Sequence, residues 1–227
     1  LAFLGLPWRC EPVFQSDRLG RYAQALDRLR EMDLVYPCFL TRAELAEVLS
    51  APHEPPTATD VVLSADEAAR RAGSGMAPAW RLRTAKALEL AESPTWLDLR
   101  TGSRRSVDMS AHGDVIVARR DIRTSYHLSV VIDDMIDGVT LVTRGMDLED
   151  STHVHRLLQA ILEIPAPAYY HHDLVCDEDG QRLAKRHDAL SISELRQSGL
   201  SATEILSYLP DFAESAIISS DCSVFSN

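Results

Sequence analysis

Ser125-Tyr126-His127-Leu128-Ser129-Val130-Val131-Ile132-Asp133-Asp134 is the stretch on which the fold turns. It is β-branched, nearly continuously apolar, and ends on two carboxylates. Such a run predicts a parallel strand covered on both faces. Gly138 then turns the chain into Val139-Thr140-Leu141-Val142-Thr143-Arg144-Gly145, a second strand. Ser151-Thr152 predicts the cap of a helix reaching about residue 162. Pro165 and Pro167 stop that helix, and Tyr169-Tyr170-His171-His172-Asp173-Leu174-Val175 reads as a further strand. Strand, helix, strand in that order is a crossover unit, right-handed in nearly all cases. Ligands of such sheets bind beyond the carboxyl ends of the strands. Arg144 and the loop after Val175 both lie at such ends.

That loop reads Asp177-Glu178-Asp179-Gly180-Gln181-Arg182-Leu183-Ala184-Lys185-Arg186. Asp-Gly marks a tight turn. Arg182, Lys185 and Arg186 then reverse the sign of charge locally. A cationic loop at this place suits a polyphosphate or another concentrated anion. A solvated surface turn would show the same residues, and both readings stand at this point.

Upstream, Leu19, Tyr22, Ala23, Leu26 and Leu29 recur at helical spacing, predicting a helix from a Ser16 cap to about Met32. Residues 35–40 predict a short edge strand, since Pro37 lacks an amide proton. Thr41-Arg42-Ala43-Glu44 and Ser64-Ala65-Asp66-Glu67 are capping boxes. Between them, Pro52, Pro55 and Pro56 break regular structure. Residues 79–83, 95–99 and 114–118 predict strands. Downstream, Ser191-Ile192-Ser193-Glu194 and Ser201-Ala202-Thr203-Glu204 open two short helices split by Gly199, ahead of an acidic, Ser-rich tail. The expected division is a core segment at 1–35, an inserted α+β subdomain at 36–119, the second half of the core with its loop at 120–190, and a helical segment at 191–227.

The 227 residues carry a net charge of -11, which argues against non-specific nucleic-acid binding but leaves room for a local basic track. Four cysteines without a CxxC pair read as free thiols of a cytoplasmic protein. No apolar run reaches the ~20 residues needed to cross a bilayer, so no membrane role is expected. Asp133-Asp134 on a strand would face opposite ways and would serve a turn or cap rather than one site. His171-His172-Asp173, and the i, i+2 pair His153 and His155, fail as metal sites for the same kind of reason. Arg144, followed by Gly145, can aim its guanidinium into a crevice and grip a carboxylate with two parallel hydrogen bonds. Tyr126 offers a hydroxyl nearby. A surface salt bridge and a core aromatic remain the plain alternatives for the two.

Together these residues resemble the catalytic core of the glutamyl-tRNA synthetases of class I, and most the branch without an anticodon-binding domain, the glutamyl-queuosine tRNA(Asp) synthetases. The likeness rests on 125–134, on Gly138-Val139-Thr140, on Val142-Thr143-Arg144-Gly145-Met146-Asp147-Leu148, on Ser151-Thr152, and on Pro167 with Tyr169. It also rests on 178–186, on Gly5-Leu6-Pro7-Trp8 and on Gln15-Ser16-Asp17-Arg18. The resemblance implies an α/β fold, a class I Rossmann-type core with an α+β insertion and short C-terminal helices. It implies ATP-dependent activation of glutamate and transfer to the queuosine base of tRNA(Asp), with Tyr126 and Arg144 binding glutamate. Arg182, Leu183, Ala184, Lys185 and Arg186 would form the ATP loop, Lys185 its catalytic cation, with ATP as substrate and Mg2+ beside it. A monomer is expected. In the family this loop usually carries Lys and Ser where Arg182 and Ala184 stand. The family's first strand and phosphate motif would lie upstream of Leu1, so a chain starting there is expected to be inactive alone. Zinc is not expected, because Cys38 stands without the further cysteines of the family's site. A fragment of a glutamyl-tRNA synthetase and a non-catalytic tRNA- or partner-binding module are the alternatives.

Overall fold

The computed structural model describes residues 2–6, 11–41, 44, 63–174, 176 and 191–207. A 3-10 turn, Gln15–Arg18, leads into helix α1, Leu19–Glu31, which buries Tyr22, Ala25 and Leu29 along one stripe. Ser16 does not cap α1; the helix enters through the 3-10 turn instead, with no side-chain cap. Strand β1, Val35–Cys38, follows, with Pro37 exposed. Thr41 and Glu44 bond reciprocally, amide to carboxylate at 2.7 Å and amide to hydroxyl at 3.2 Å, as a capping box requires. The proline-rich break at 51–59 lies outside the described residues.

Helix α2, Ala65–Gly73, is capped by Ser64, and strand β2, Ala79–Leu82, follows. Helix α3, Thr84–Leu90, and strand β4, Ser103–Ser106, escaped the sequence reading; strands β3, Thr95–Asp98, and β5, Ile116–Ala118, did not.

Residues 126–134 form no strand. They belong to helix α4, Tyr126–Ile136, capped by Ser125, whose hydroxyl accepts from the Leu128 amide. Leu128, Ser129, Val131 and Ile132 are buried at i, i+1, i+3 and i+4, one face of a helix. The apolar run is continuous because α4 is covered on two sides, by α1 and by the helix at Glu149–Ile161. A run of this length cannot be assigned by periodicity alone. β6 spans Leu141–Gly145, α5 spans Glu149–Ile161, and strand β7 spans Ala168–His172. Ser151 and Thr152 lie inside the first turn of α5, which has no side-chain cap. Helices α6, Ile192–Gln197, and α7, Ala202–Ser207, open on Ser191 and Ser201 and are split at Gly199, whose φ of 95° needs glycine.

Two sheets result. β1, β2 and β5 form an antiparallel sheet with β1 at its edge. The second sheet runs β4-β3-β7-β6, with β3 and β6 parallel to β7 and β4 antiparallel to β3. The predicted crossover is thus β6-α5-β7, and the strands of 95–106 extend the same sheet. Val154, Leu157, Leu158 and Ile161 of α5 lie in one buried cluster with residues of α1, α3 and α4, while Thr152, Arg156 and Gln159 meet the sheet. Leu157 and Leu158 are fully buried, each contributing on the order of 2 kcal/mol.

Candidate active site

The register of β6 on β7 sets Arg144 opposite His171 at the carboxyl ends of two parallel strands. One turn into α5, Thr152 and His155 point back at the same place, three residues apart on one helix face. The Arg144 guanidinium meets all three. Nε donates to His171 Nε2 at 3.2 Å, Nη1 lies 3.2 Å from His155 Nδ1, and Nη2 donates to Thr152 Oγ1 at 2.5 Å. Thr152 Oγ1 is also 3.0 Å from His171 Nε2. The cation sits 5.5 Å from the Tyr169 ring centre. Behind it, Trp96 meets Tyr169 and His171 edge-on.

Every protein group that Arg144 bonds here is neutral. Burial, reinforced by the nearby guanidinium, pushes His155 down to about 2 and His171 down to about 4. His127, 3.1 Å from His155 through Nδ1 and Nε2, is likewise lowered, chiefly by burial. Among the described residues Arg144 forms no ion pair. A guanidinium has five N–H groups; among the described residues three are used, leaving one on each terminal nitrogen. That pair matches the fork geometry of a carboxylate.

Tyr126, the first residue of α4, is half exposed, and its ring lies 5.4 Å from that of His155. The two predicted substrate residues therefore converge on one imidazole. The predicted loop, Arg182, Leu183, Ala184, Lys185 and Arg186, lies outside the described residues; β7 leads toward it.

Asp133 has neither the cap nor the turn role expected of it. It accepts from Gln15 Nε2 at 2.9 Å, Arg18 Nη1 at 3.0 Å and Tyr22 Oη at 2.8 Å. Arg18 also pairs with Asp137. These contacts fasten the segment before α1 to α4. Asp134 is raised, first by burial and then by Asp133.

His127, Thr152, His155 and His171 were not singled out as site residues by the sequence. His153 and His155 do diverge, as i, i+2 neighbours on a helix must: His153 accepts from the Asp108 amide at 3.0 Å, while His155 turns to Arg144. The signal available was Thr152 and His155 at i, i+3, directly after a strand ending in Arg144. Cys38 is a buried free thiol, and no cluster of three His, Cys, Asp or Glu side chains arranged for a metal occurs among the described residues. No helix among the described residues is long and apolar enough to cross a membrane.

Residues 1–216 match the model for tRNA synthetases of class I (E and Q), catalytic domain. The chain is 40% identical to the glutamyl-Q tRNA(Asp) synthetase of Rhodobacter capsulatus, over 90% of this chain and 77% of that protein. It is 39% identical to the enzyme of the same name from Nocardia farcinica, over 93% of this chain and 66% of that one. Among solved structures, a glutamate tRNA ligase from Elizabethkingia meningosepticum superposes with a TM-score of 0.64 at 21% identity, over 88% of this chain and 41% of the ligase. The fold is accordingly the Rossmann-type core of class I. On the match across residues 1–216 and the identity to its relatives, the chain belongs to the class I tRNA synthetases of the glutamate and glutamine group.

Proposed function

We propose that this chain carries the glutamate-activating site of a ligase that charges the queuosine base of tRNA(Asp). The observation that carries the reading is Arg144: a cation at the carboxyl ends of parallel strands, held by neutral partners, with one N–H on each terminal nitrogen unclaimed among the described residues. In the reaction an oxygen of the glutamate α-carboxylate attacks the α-phosphorus of ATP. The bond to the bridging oxygen breaks, pyrophosphate leaves, and glutamyl-adenylate remains. Arg144 would hold a substrate carboxylate in its fork, and Tyr126 would add a hydroxyl at the rim. A fixed fork lowers the barrier by orienting the reactants before the step. Lys185 would approach the pyrophosphate as its charge develops, which favours the transition state over the ground state.

The names of the relatives support the acceptor. Other relatives, 36% identical over 47% of their length, are named glutamate–tRNA ligase 2, so transfer to a tRNA 3′ end is the second reading. Glutamate-dependent exchange of labelled pyrophosphate into ATP tests activation. It should be run on this chain and, where its reading frame continues upstream, on the longer one. Exchange with glutamate but not glutamine or aspartate is expected; none from either chain would sink the reading. Glutamate transferred to queuosine-containing tRNA(Asp), and not to tRNA(Glu), separates the two acceptors. Lys185→Ala should slow exchange far more than it weakens glutamate binding, and equal effects on both would remove Lys185 from the transition state.

A further inference from the structure

We propose that His155 and His127 form a directional chain of neutral imidazoles that aims the Arg144 guanidinium while leaving its charge uncancelled. This role rests on the reading of Arg144 as the carboxylate-binding cation. The direction follows from donor chemistry. A guanidinium only donates, so His155 Nδ1, 3.2 Å from Arg144 Nη1, must accept. The single proton of neutral His155 then lies on Nε2. That nitrogen is 3.1 Å from His127 Nδ1, which accepts in turn, so the His127 proton also lies on Nε2. His171 runs the other way. Its Nε2 faces both Arg144 Nε and the Thr152 hydroxyl, so its proton belongs on Nδ1.

Imidazole is well suited to this position. His155 is only 2% exposed and sits against a permanent cation, so it stays neutral. An apolar side chain there would leave a guanidinium N–H without an acceptor in a half-buried place, a costly omission. A carboxylate would satisfy the N–H but cancel the charge needed for an anionic substrate. A neutral ring with an acceptor on one side and a donor on the other avoids both faults. The donor side matters because His127, on α4, fixes the ring of His155, on α5, so two helices jointly set the Arg144 fork. Tyr126 lies 5.4 Å from the same ring, so the rim aromatic shares that support.

Two measurements decide the proposal. Long-range proton–nitrogen correlation of the imidazoles at pH 7, on the substrate-free chain, reads the tautomers directly, with assignments from single-histidine variants. Nε2–H forms are expected for His155 and His127, and the Nδ1–H form for His171. A protonated ring or the opposite tautomer at His155 overturns the chain. Calorimetric titration with glutamate then reads the role. His155→Gln supplies an amide oxygen toward Arg144 and an amide N–H toward His127, so its dissociation constant should stay within about threefold of the parent. His155→Glu should fold as well as the parent yet bind glutamate more weakly by over ~10-fold, the scale of one lost charge-assisted contact. His127→Leu, nearer the rim, should weaken binding about threefold without lowering the melting temperature as a core deletion would. His155→Gln binding glutamate no more tightly than His155→Glu would overturn the role. Correct tautomers in a parent chain that binds no glutamate would count against the Arg144 reading and leave the imidazole chain standing.

Discussion

Arg144 is held on three sides by His171, His155 and Thr152, and each contact uses a different guanidinium nitrogen. Lysine at this place would keep the charge and lose the geometry, since an ammonium is a point charge without a fork. Arg144→Lys is therefore expected to weaken glutamate binding by at least ~10-fold, with a smaller change in melting temperature, as calorimetry and thermal unfolding would show. At this scale the sequence was half legible. Arg144 stood out because an arginine before a glycine at a strand end has few structural uses. His155 did not, because its nearest histidine in sequence, His153, faces another way, and its partner lies eleven residues earlier on β6. The partner of a buried polar group is set by which strand the helix folds back over, and single residues do not carry that information. Asp133 failed for the same reason, its partners Gln15, Arg18 and Tyr22 lying more than a hundred residues away.

Helix α4 shows what a pattern of apolar residues can and cannot say. Its apolarity, its burial and its place before β6 are all readable, yet the run predicts a strand. A helix packed on both flanks, like a strand covered on both faces, has no polar side to give away its period. The Ser125 cap was the better evidence, since its hydroxyl meets the third amide beyond it at 3.3 Å. Ser125→Ala should cost about 1 kcal/mol, which for a chain of this size lowers the melting temperature by about 2–4 °C, and Ser125→Thr should recover most of it. The β6-β7 pair makes a second prediction. Ala168 donates its amide to the Thr140 carbonyl, and in a parallel ladder the next bond returns from Val142 to Ala168. The Val142 and Arg144 amides therefore face β7, whereas those of Leu141, Thr143 and Gly145 face away from it. Among the described residues β6 has no second neighbour in its sheet. Amide hydrogen exchange should alternate along β6, slow at 142 and 144 and fast at 141, 143 and 145. Uniform protection would mean that another strand covers this edge.

At the scale of the molecule, the buried imidazoles tie stability to pH. His155 near 2 and His171 near 4 both titrate below their ordinary 6.5. As pH falls through 6.5, the unfolded chain takes up protons that the folded chain refuses. Their contribution is complete above that value and shrinks below it, down to about 4 for His171 and further for His155. Between pH 7 and 5 the two together should remove roughly 4 kcal/mol, read as a falling urea midpoint, and His155→Gln should remove about half of that dependence. The overall architecture was legible because the crossover β6-α5-β7 is punctuated by Gly138, Pro165 and Pro167. The hairpin of β3 and β4 was not, because Ser103-Arg104-Arg105-Ser106 has no alternation of its own and is held by its pairing with β3. That hairpin has an optical consequence. It carries Trp96 into the centre of the protein, fully shielded from water, with Arg105 over one side and His171 5.6 Å away. Trp96 is thus a built-in fluorophore one ring removed from the Arg144 fork. With Trp8 and Trp80 replaced by phenylalanine, its emission would report in real time on capture of an anion by Arg144, without any label.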